Sequence, residues 1–295
     1  MKPIRHQYDR LPAETRSKIR SLIPGRLLRW YAHQKTDVYL LSYPKCGRTW
    51  LRLMLGKAMA TYFSLPDRED ILFLRTNRKI HPQAPSIAVV HDDSPMLKSP
   101  SELEVSKKRY RHNKVIFLVR DPRDVVISSY YEINKRGHLF GENPHEPKPQ
   151  VFEGKLIDFI RNRVGSFDTI LAYYKIWAEN QNVPEGFLLV RYEDMKANPH
   201  VELCRVLEFI GLSGVPDEMV AEAVDYASFE NMRKMELENR YQTGILNPAD
   251  PSDPGSFKTR KGKIEGYRDY LSLEEIEELN IKMTKELHPM YGYTF

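Results

Sequence analysis

Within the eight residues Tyr43-Pro44-Lys45-Cys46-Gly47-Arg48-Thr49-Trp50 lie two cations, a glycine and a hydroxyl, set between a β-prone apolar run and a helical apolar run. A loop entering a helix N-terminus aims free N–H groups and the positive dipole end at one point, which attracts an anion. Gly47 lets the backbone approach closely, Lys45 adds a mobile charge, and Thr49 can donate to a phosphate oxygen. It is not a Walker A loop, whose Gly-Lys-Ser/Thr is met by neither Gly56-Lys57-Ala58 nor Gly262-Lys263-Ile264. By itself the segment suits either a phosphate site or an ordinary βα turn. A second basic group, Arg120-Asp121-Pro122-Arg123-Asp124, is followed by Ser128. At 1.5 Å per residue, Ser128 lies roughly 9 Å along the next helix, so its hydroxyl and the Arg120 side chain could share one phosphate. The same residues also make a capped helix start with surface ion pairs. Arg260-Lys261-Gly262 sits in a loop with Pro248, Pro251, Pro254 and Gly255, and reads as a phosphate contact or as a solvated basic loop. The nine histidines show no HExxH or Cys/His spacing, so no metal site is expected.

The elements that position these residues follow from their apolar patterning. Strands are expected at 38–43, 87–90, 115–120 and 187–191. A buried helix follows from Trp50, and Asp121 and Pro122 are a fitting N-cap and first helical residue for a helix running to about Tyr131. Further helices are expected at 155–181, 199–211, 216–239 and 273–287, with Pro- and Gly-rich loops near 141–150 and 244–263. Strands alternating with helices give a single α/β domain over 37–295, with a mainly parallel sheet flanked by helices and ligands at the carboxyl ends of the strands. Residues 1–36 mix Arg16, Lys18, Arg20, Arg26 and Arg29 with Leu22, Ile23, Leu27, Leu28 and Trp30, the pattern of a basic amphipathic arm that packs on the core or meets a membrane surface.

Composition narrows the function classes. With 41% hydrophobic and 29% charged residues, the chain is neither collagen-like nor wholly disordered. No apolar run approaches a membrane span, and the N-terminus lacks the apolar core of a signal peptide. Cys46 and Cys204 allow at most one disulfide and no zinc framework, so a reducing cytoplasm is the expected location. A net charge of +5 suits an anionic small ligand and falls short of a nucleic-acid-binding balance.

Taken in order, these segments resemble those of the sulfotransferases that use 3′-phosphoadenosine 5′-phosphosulfate (PAPS). Residues 43–51 resemble the family's P-loop-like 5′-phosphosulfate-binding loop. Residues 115–131, with Arg120 and Ser128, resemble its 3′-phosphate segment, and Arg260-Lys261-Gly262 with Gly266 its late phosphate loop. Tyr192-Glu193-Asp194 and Ser228-Phe229 with Met232 are similar to its adenine-side elements. The resemblance implies that Lys45, Cys46, Gly47, Arg48 and Thr49 hold the phosphosulfate, and that Trp50 and Phe229 stack on adenine with Tyr192 and Ser228 nearby. It further implies that His91, after the strand at 87–90, is the general base, and that Lys45 steadies the sulfuryl group and the departing phosphate.

The implied activity is sulfuryl transfer from PAPS to a hydroxyl or amine of a small-molecule acceptor, releasing adenosine 3′,5′-bisphosphate (PAP) and needing no metal. The rival readings are a nucleotide-binding phosphotransferase and a non-catalytic nucleotide-binding regulator. Some positions depart from the family pattern. Cys46 and Arg48 stand where small hydroxyl residues are common, Val89 where many members carry a Lys two residues before the base, Ala227 where a Thr is frequent and Tyr267 where a Trp is usual. No match to the family's C-terminal dimer motif is found, which leaves the oligomeric state open. Asp92-Asp93 directly follow the base, and two acceptor-pocket carboxylates would suit a cationic acceptor; the same pair also suits a turn before Ser94-Pro95.

Overall fold

Val38–Ser42, β1, is buried at every residue, as expected of a strand covered on both faces. In the computed structural model, which describes residues 35–65, 71–137, 150–241 and 245–294, it is joined by β2 (Ile87–Val90), β3 (Lys114–Val119) and β4 (Gly186–Arg191). The four strands pair only in parallel, in the order β2-β1-β3-β4. The chain leaves β1 for a neighbour on one side, then fills the other side from β3, so the carboxyl ends of β1 and β3 flank the topological switch point. Crossovers between parallel strands are almost always right-handed, so connections running in opposite directions from that point put helices on both faces of the sheet.

On one side α1 (Arg48–Tyr62) packs with helices at Pro199–Phe209 and Asp217–Tyr226. On the other α3 (Pro122–Arg136) packs with helices at Leu156–Ile160 and Phe167–Glu179. In chain order the helices are α1, α2 (Asn77–Ile80), α3, α4 (Leu156–Ile160), α5 (Phe167–Glu179), α6 (Tyr192–Ala197), α7 (Pro199–Phe209), α8 (Asp217–Tyr226), α9 (Phe229–Leu237) and α10 (Leu273–Glu286). Asp121 caps α3 by accepting from the Arg123 N–H at 2.9 Å, with Pro122 at the first helical position.

Two expected helices are each split. The one at 155–181 breaks between α4 and α5, where Gly165 has φ +62 and a Cβ would lie 2.0 Å from the Met96 carbonyl oxygen. The Gly165 N–H donates to the Lys98 carbonyl at 2.9 Å, so a contact with the segment after His91 outweighs helical continuity. The one at 216–239 breaks at Ser228, which caps α9 by accepting from the Asn231 N–H.

Contacts separate residues 1–37 from residues 38–295, and the fold described is that of the second unit. The expected basic arm at 1–36 lies outside the described residues up to 34, as does most of the expected loop near 141–150. Among the described residues no helix is long and apolar enough to cross a membrane.

Candidate active site

At the switch point a cleft of about 1230 Å³, counting its open mouth, collects residues from the ends of all four strands and from the late loop at 258–266. Its floor is the segment between β1 and α1. Lys45 (φ 75) and Gly47 (φ 90) are both left-handed there, and a Cβ on Gly47 would meet the Tyr192 ring at 2.6 Å. Any residue but glycine would therefore be strained and would displace Tyr192. No side chain caps the start of α1, so its first-turn N–H groups and dipole remain available to an anion.

His91 follows β2 at the edge of this cleft. Its Nδ1–H donates to the Ser42 carbonyl at 3.0 Å, and Arg48 Nη2 donates to its Nε2 at 2.6 Å. This pairing assigns the neutral tautomer with the proton on Nδ1. Burial, reinforced by the Arg48 charge, holds the imidazole well below its ordinary pKa.

Deeper in the cleft, Glu132 of α3 is 3% exposed and gathers three cations. Lys45 Nζ donates to Oε2, Lys258 Nζ to Oε1 at 2.8 Å, and Arg136 Nε lies 3.3 Å from Oε2. Burial alone would raise this carboxyl; Lys258, Lys45 and Arg136 outweigh it and hold it well below its ordinary range. Burial pulls Lys45 down to about 7 against the pull of Glu132. The late loop is pinned from below. The fully buried Glu236 accepts from the Lys258 N–H, the Thr259 N–H (2.9 Å) and the Thr259 hydroxyl (2.6 Å), and Arg136 donates to the Asn247 and Ser256 carbonyls.

Arg120, at the end of β3, ties the two strand ends and the late loop together. It donates to the Lys263 carbonyl at 2.8 Å and to the Lys45 carbonyl at 3.5 Å, and its guanidinium lies 4.4 Å from the Tyr192 ring centre. Tyr192 meets Trp50 edge-on at 5.8 Å, and Gly262 closes on Phe229, a Cβ there lying 3.0 Å from its ring. Arg260 stacks over Tyr131 at 4.2 Å and donates to the Tyr270 hydroxyl. Lining the cleft are eight Lys and Arg side chains against Asp124 and Glu132, a balance that favours an anionic ligand carrying several charges.

Residues 35–290 match the family model described as the sulfotransferase domain. The chain belongs to the sulfotransferase family. It is 29% identical over 266 residues to cytosolic sulfotransferase 12 of Arabidopsis thaliana, covering 83% of this chain and 75% of that protein. With sulfotransferase 1A1 of Mus musculus it shares 28% identity over 262 residues, 84% of each chain. Among solved structures, mouse sulfotransferase SULT7A1 complexed with PAP aligns with a TM-score of 0.57 at 19% identity, over 86% of this chain and 85% of that one. Retinol dehydratase in complex with androsterone and PAP aligns at 0.55 and 19%, over 86% and 81%. These two likenesses bear on the fold, a sulfotransferase α/β domain with a parallel sheet.

Of the residues singled out by the sulfotransferase resemblance, Lys45, Gly47, Arg48, Thr49, Trp50, His91, Arg120, Ser128, Tyr192, Phe229, Arg260, Lys261 and Gly262 all line this one cleft. Cys46 and Ser228 are placed elsewhere. Cys46 turns its side chain into the core, where Sγ lies 3.3 Å from the Tyr174 hydroxyl, leaving only its backbone for a ligand. Ser228 serves α9 as its cap.

The expectation that Asp92 and Asp93 line an acceptor pocket is corrected. Asp92 is buried and ion-paired with Lys107 at 2.7 Å and with Arg109, and it accepts from the Tyr110 hydroxyl at 2.7 Å. Asp93 pairs with Lys98 and accepts from the Glu104 N–H at 2.5 Å. Both carboxylates hold the turn after β2, which is why neither faces the cleft.

Glu132, Lys258 and Lys263 are cleft residues that the sequence reading missed. A signal for Glu132 was present: Arg120, Asp124, Ser128, Glu132 and Arg136 recur every fourth residue, a polar row along one side of α3. Lys258 and Lys263 carry no such signal, because the anchoring of their loop by Glu236 and Arg136 is a long-range contact.

Proposed function

We propose that the sulfuryl donor is PAPS and that the acceptor is a hydroxyl or amine of a small molecule, deprotonated by His91. The observation that carries this reading is the juxtaposition of a neutral, Nδ1-protonated imidazole with an uncapped helix N-terminus inside a strongly cationic cleft. The residues present fit the donor. Arg48 Nη1 and Arg120 Nε are buried cleft atoms with no hydrogen-bond partner, and the Gly47 and Gly262 backbones approach Tyr192 and Phe229 where a side chain would intrude. The likeness to flavonol 3-sulfotransferase of Flaveria bidentis and to structures complexed with PAP points the same way.

When bound, PAPS supplies an activated sulfuryl group. His91 Nε2 takes the acceptor's proton, and the resulting imidazolium is held by the Ser42 carbonyl. As the acceptor atom bonds to sulfur and the sulfur–oxygen bond to the 5′-phosphate breaks, the electron pair stays on the phosphate oxygen. Lys45 and the first-turn N–H groups of α1 meet that charge. An anion beside Lys45 restores the full charge that burial erodes. Arg120, Ser128 and Arg260 take the 3′-phosphate, while Trp50, Tyr192 and Phe229 enclose the adenine.

A thermal-unfolding panel tests this reading. PAP at 100 times its dissociation constant adds about 2.7 kcal/mol to stability, and ATP with Mg²⁺ at equal concentration adds less. Stabilisation by ATP alone overturns the proposal. In the same assay Arg260→Ala and Ser128→Ala weaken PAP by about 10- to 100-fold, the worth of one charge-assisted hydrogen bond, and weaken adenosine 5′-phosphate much less. Equal loss for both ligands means that these residues support the fold only.

A further inference from the structure

Arg48 is a buried cation without a counter-ion: among the described residues no carboxylate is ion-paired with it. One of its terminal nitrogens donates to His91 Nε2 at 2.6 Å, and the other, Nη1, is buried in the cleft with no partner. Arg48 is also the first residue of α1, so its side chain starts from the helix end already aimed at an anion. The lone pair that it covers is the one a base needs, because the other ring nitrogen carries its proton toward Ser42. A guanidinium with one donor on a neutral imidazole and one donor unfilled gains far more from a phosphate or sulfuryl oxygen, which accepts both in a fork.

We propose that Arg48 is a positioning residue that covers the His91 lone pair and releases it by moving its donors onto an anionic oxygen of the donor nucleotide. The base is thereby uncovered only once the donor is in place, and the acceptor O–H or N–H then occupies the position at Nε2 that Arg48 has left. This inference rests on the PAPS reading above. The charged groups facing His91 are Arg48 from α1, Glu132 from α3 and Lys258 from the late loop, and Ser42 of β1 contributes its carbonyl. Among the described residues only Arg48 touches the ring with its charge.

The test is an NMR titration of His91 in the full chain labelled with ¹⁵N-histidine, its signal assigned with His91→Ala, in wild type, Arg48→Ala and Arg48→Gln. Without nucleotide, both variants should titrate higher than wild type by about one pH unit, since a cation on the ring is lost. With saturating PAP, the gap between wild type and variants should fall by at least about half, because the wild-type guanidinium has moved to the nucleotide. A gap that is absent without PAP, or that persists unchanged with it, overturns the gate and leaves the PAPS reading standing. If PAP perturbs neither His91 nor residues 45–50 in any of the three proteins, the PAPS reading falls and takes the gate with it.

Discussion

With His91 replaced by alanine, turnover falls about 10²- to 10⁴-fold, the usual worth of a positioned general base, while affinity for PAP stays within about threefold. The separation follows from geometry. Among the described residues His91 holds only the Ser42 carbonyl and the Arg48 guanidinium, and the nucleotide is assigned to the strand ends and the late loop. Removing the ring frees Arg48 for the phosphate and takes away none of the cations that line the cleft. Single-turnover rates with preloaded donor, together with calorimetric PAP binding, check both halves. Turnover within threefold of wild type would take His91 out of the chemistry, and a PAP affinity lost in parallel would make the ring a structural pillar of the nucleotide site.

The second large effect is on stability. Glu132→Gln should lower the unfolding free energy by about 3–5 kcal/mol at neutral pH, the cost of leaving buried charge uncompensated, because Lys45 and Lys258 lose the carboxylate that both touch. Arg136 suffers less, since it also holds Glu236 and two carbonyls. Saturating PAP should shrink the deficit by supplying substitute negative charge. The pH dependence has a defined sign. The native carboxyl ionises well below its ordinary 4.5, so its contribution is complete above that value and is lost as pH falls further. The gap between wild type and variant, read from denaturant midpoints, should therefore widen as pH falls from 8 through 7, where Lys45 regains its proton beside the carboxylate but not beside the amide, and narrow again in strong acid. A gap that does not depend on pH would mean that the glutamate contributes shape and hydrogen bonding but not charge.

Much of this architecture is written locally. The runs at 38–42 and 115–119 are apolar without alternation, which is how a strand buried on both faces reads, and Asp121-Pro122 announces a helix start that the structure keeps. The split at Gly165 was not legible, because it depends on a carbonyl of residue 98 reaching the 165 backbone across the fold. The cleft divides in the same way. Lys45, Gly47 and Arg120 sit where βα junctions must present them, whereas Lys258 reaches Glu132 only because Glu236 and Arg136 pin its loop. Asp92 misled because sequence adjacency to His91 says nothing about direction: the two neighbours turn opposite ways, one to the cleft and one to Lys107 and Tyr110.

The inward turn of Cys46 gives the loop between β1 and α1 a built-in clock. Its thiol is buried against Tyr174 and pushed up to about 12, chiefly by burial, while Cys204 is half-exposed. Tyr174 also donates to the Arg120 carbonyl at 2.8 Å and accepts from the Arg120 N–H at 3.0 Å, so the contact that shields the thiol also latches the end of β3. A disulfide reagent must wait for that latch to lift before it finds Cys46. With Cys204 blocked, the alkylation rate of the remaining thiol counts local openings of the loop. Any nucleotide that binds only the latched form slows that count by the factor 1 + [L]/Kd, so the interior of the molecule reports the affinity of its surface without a chromophore, an acceptor or a turnover.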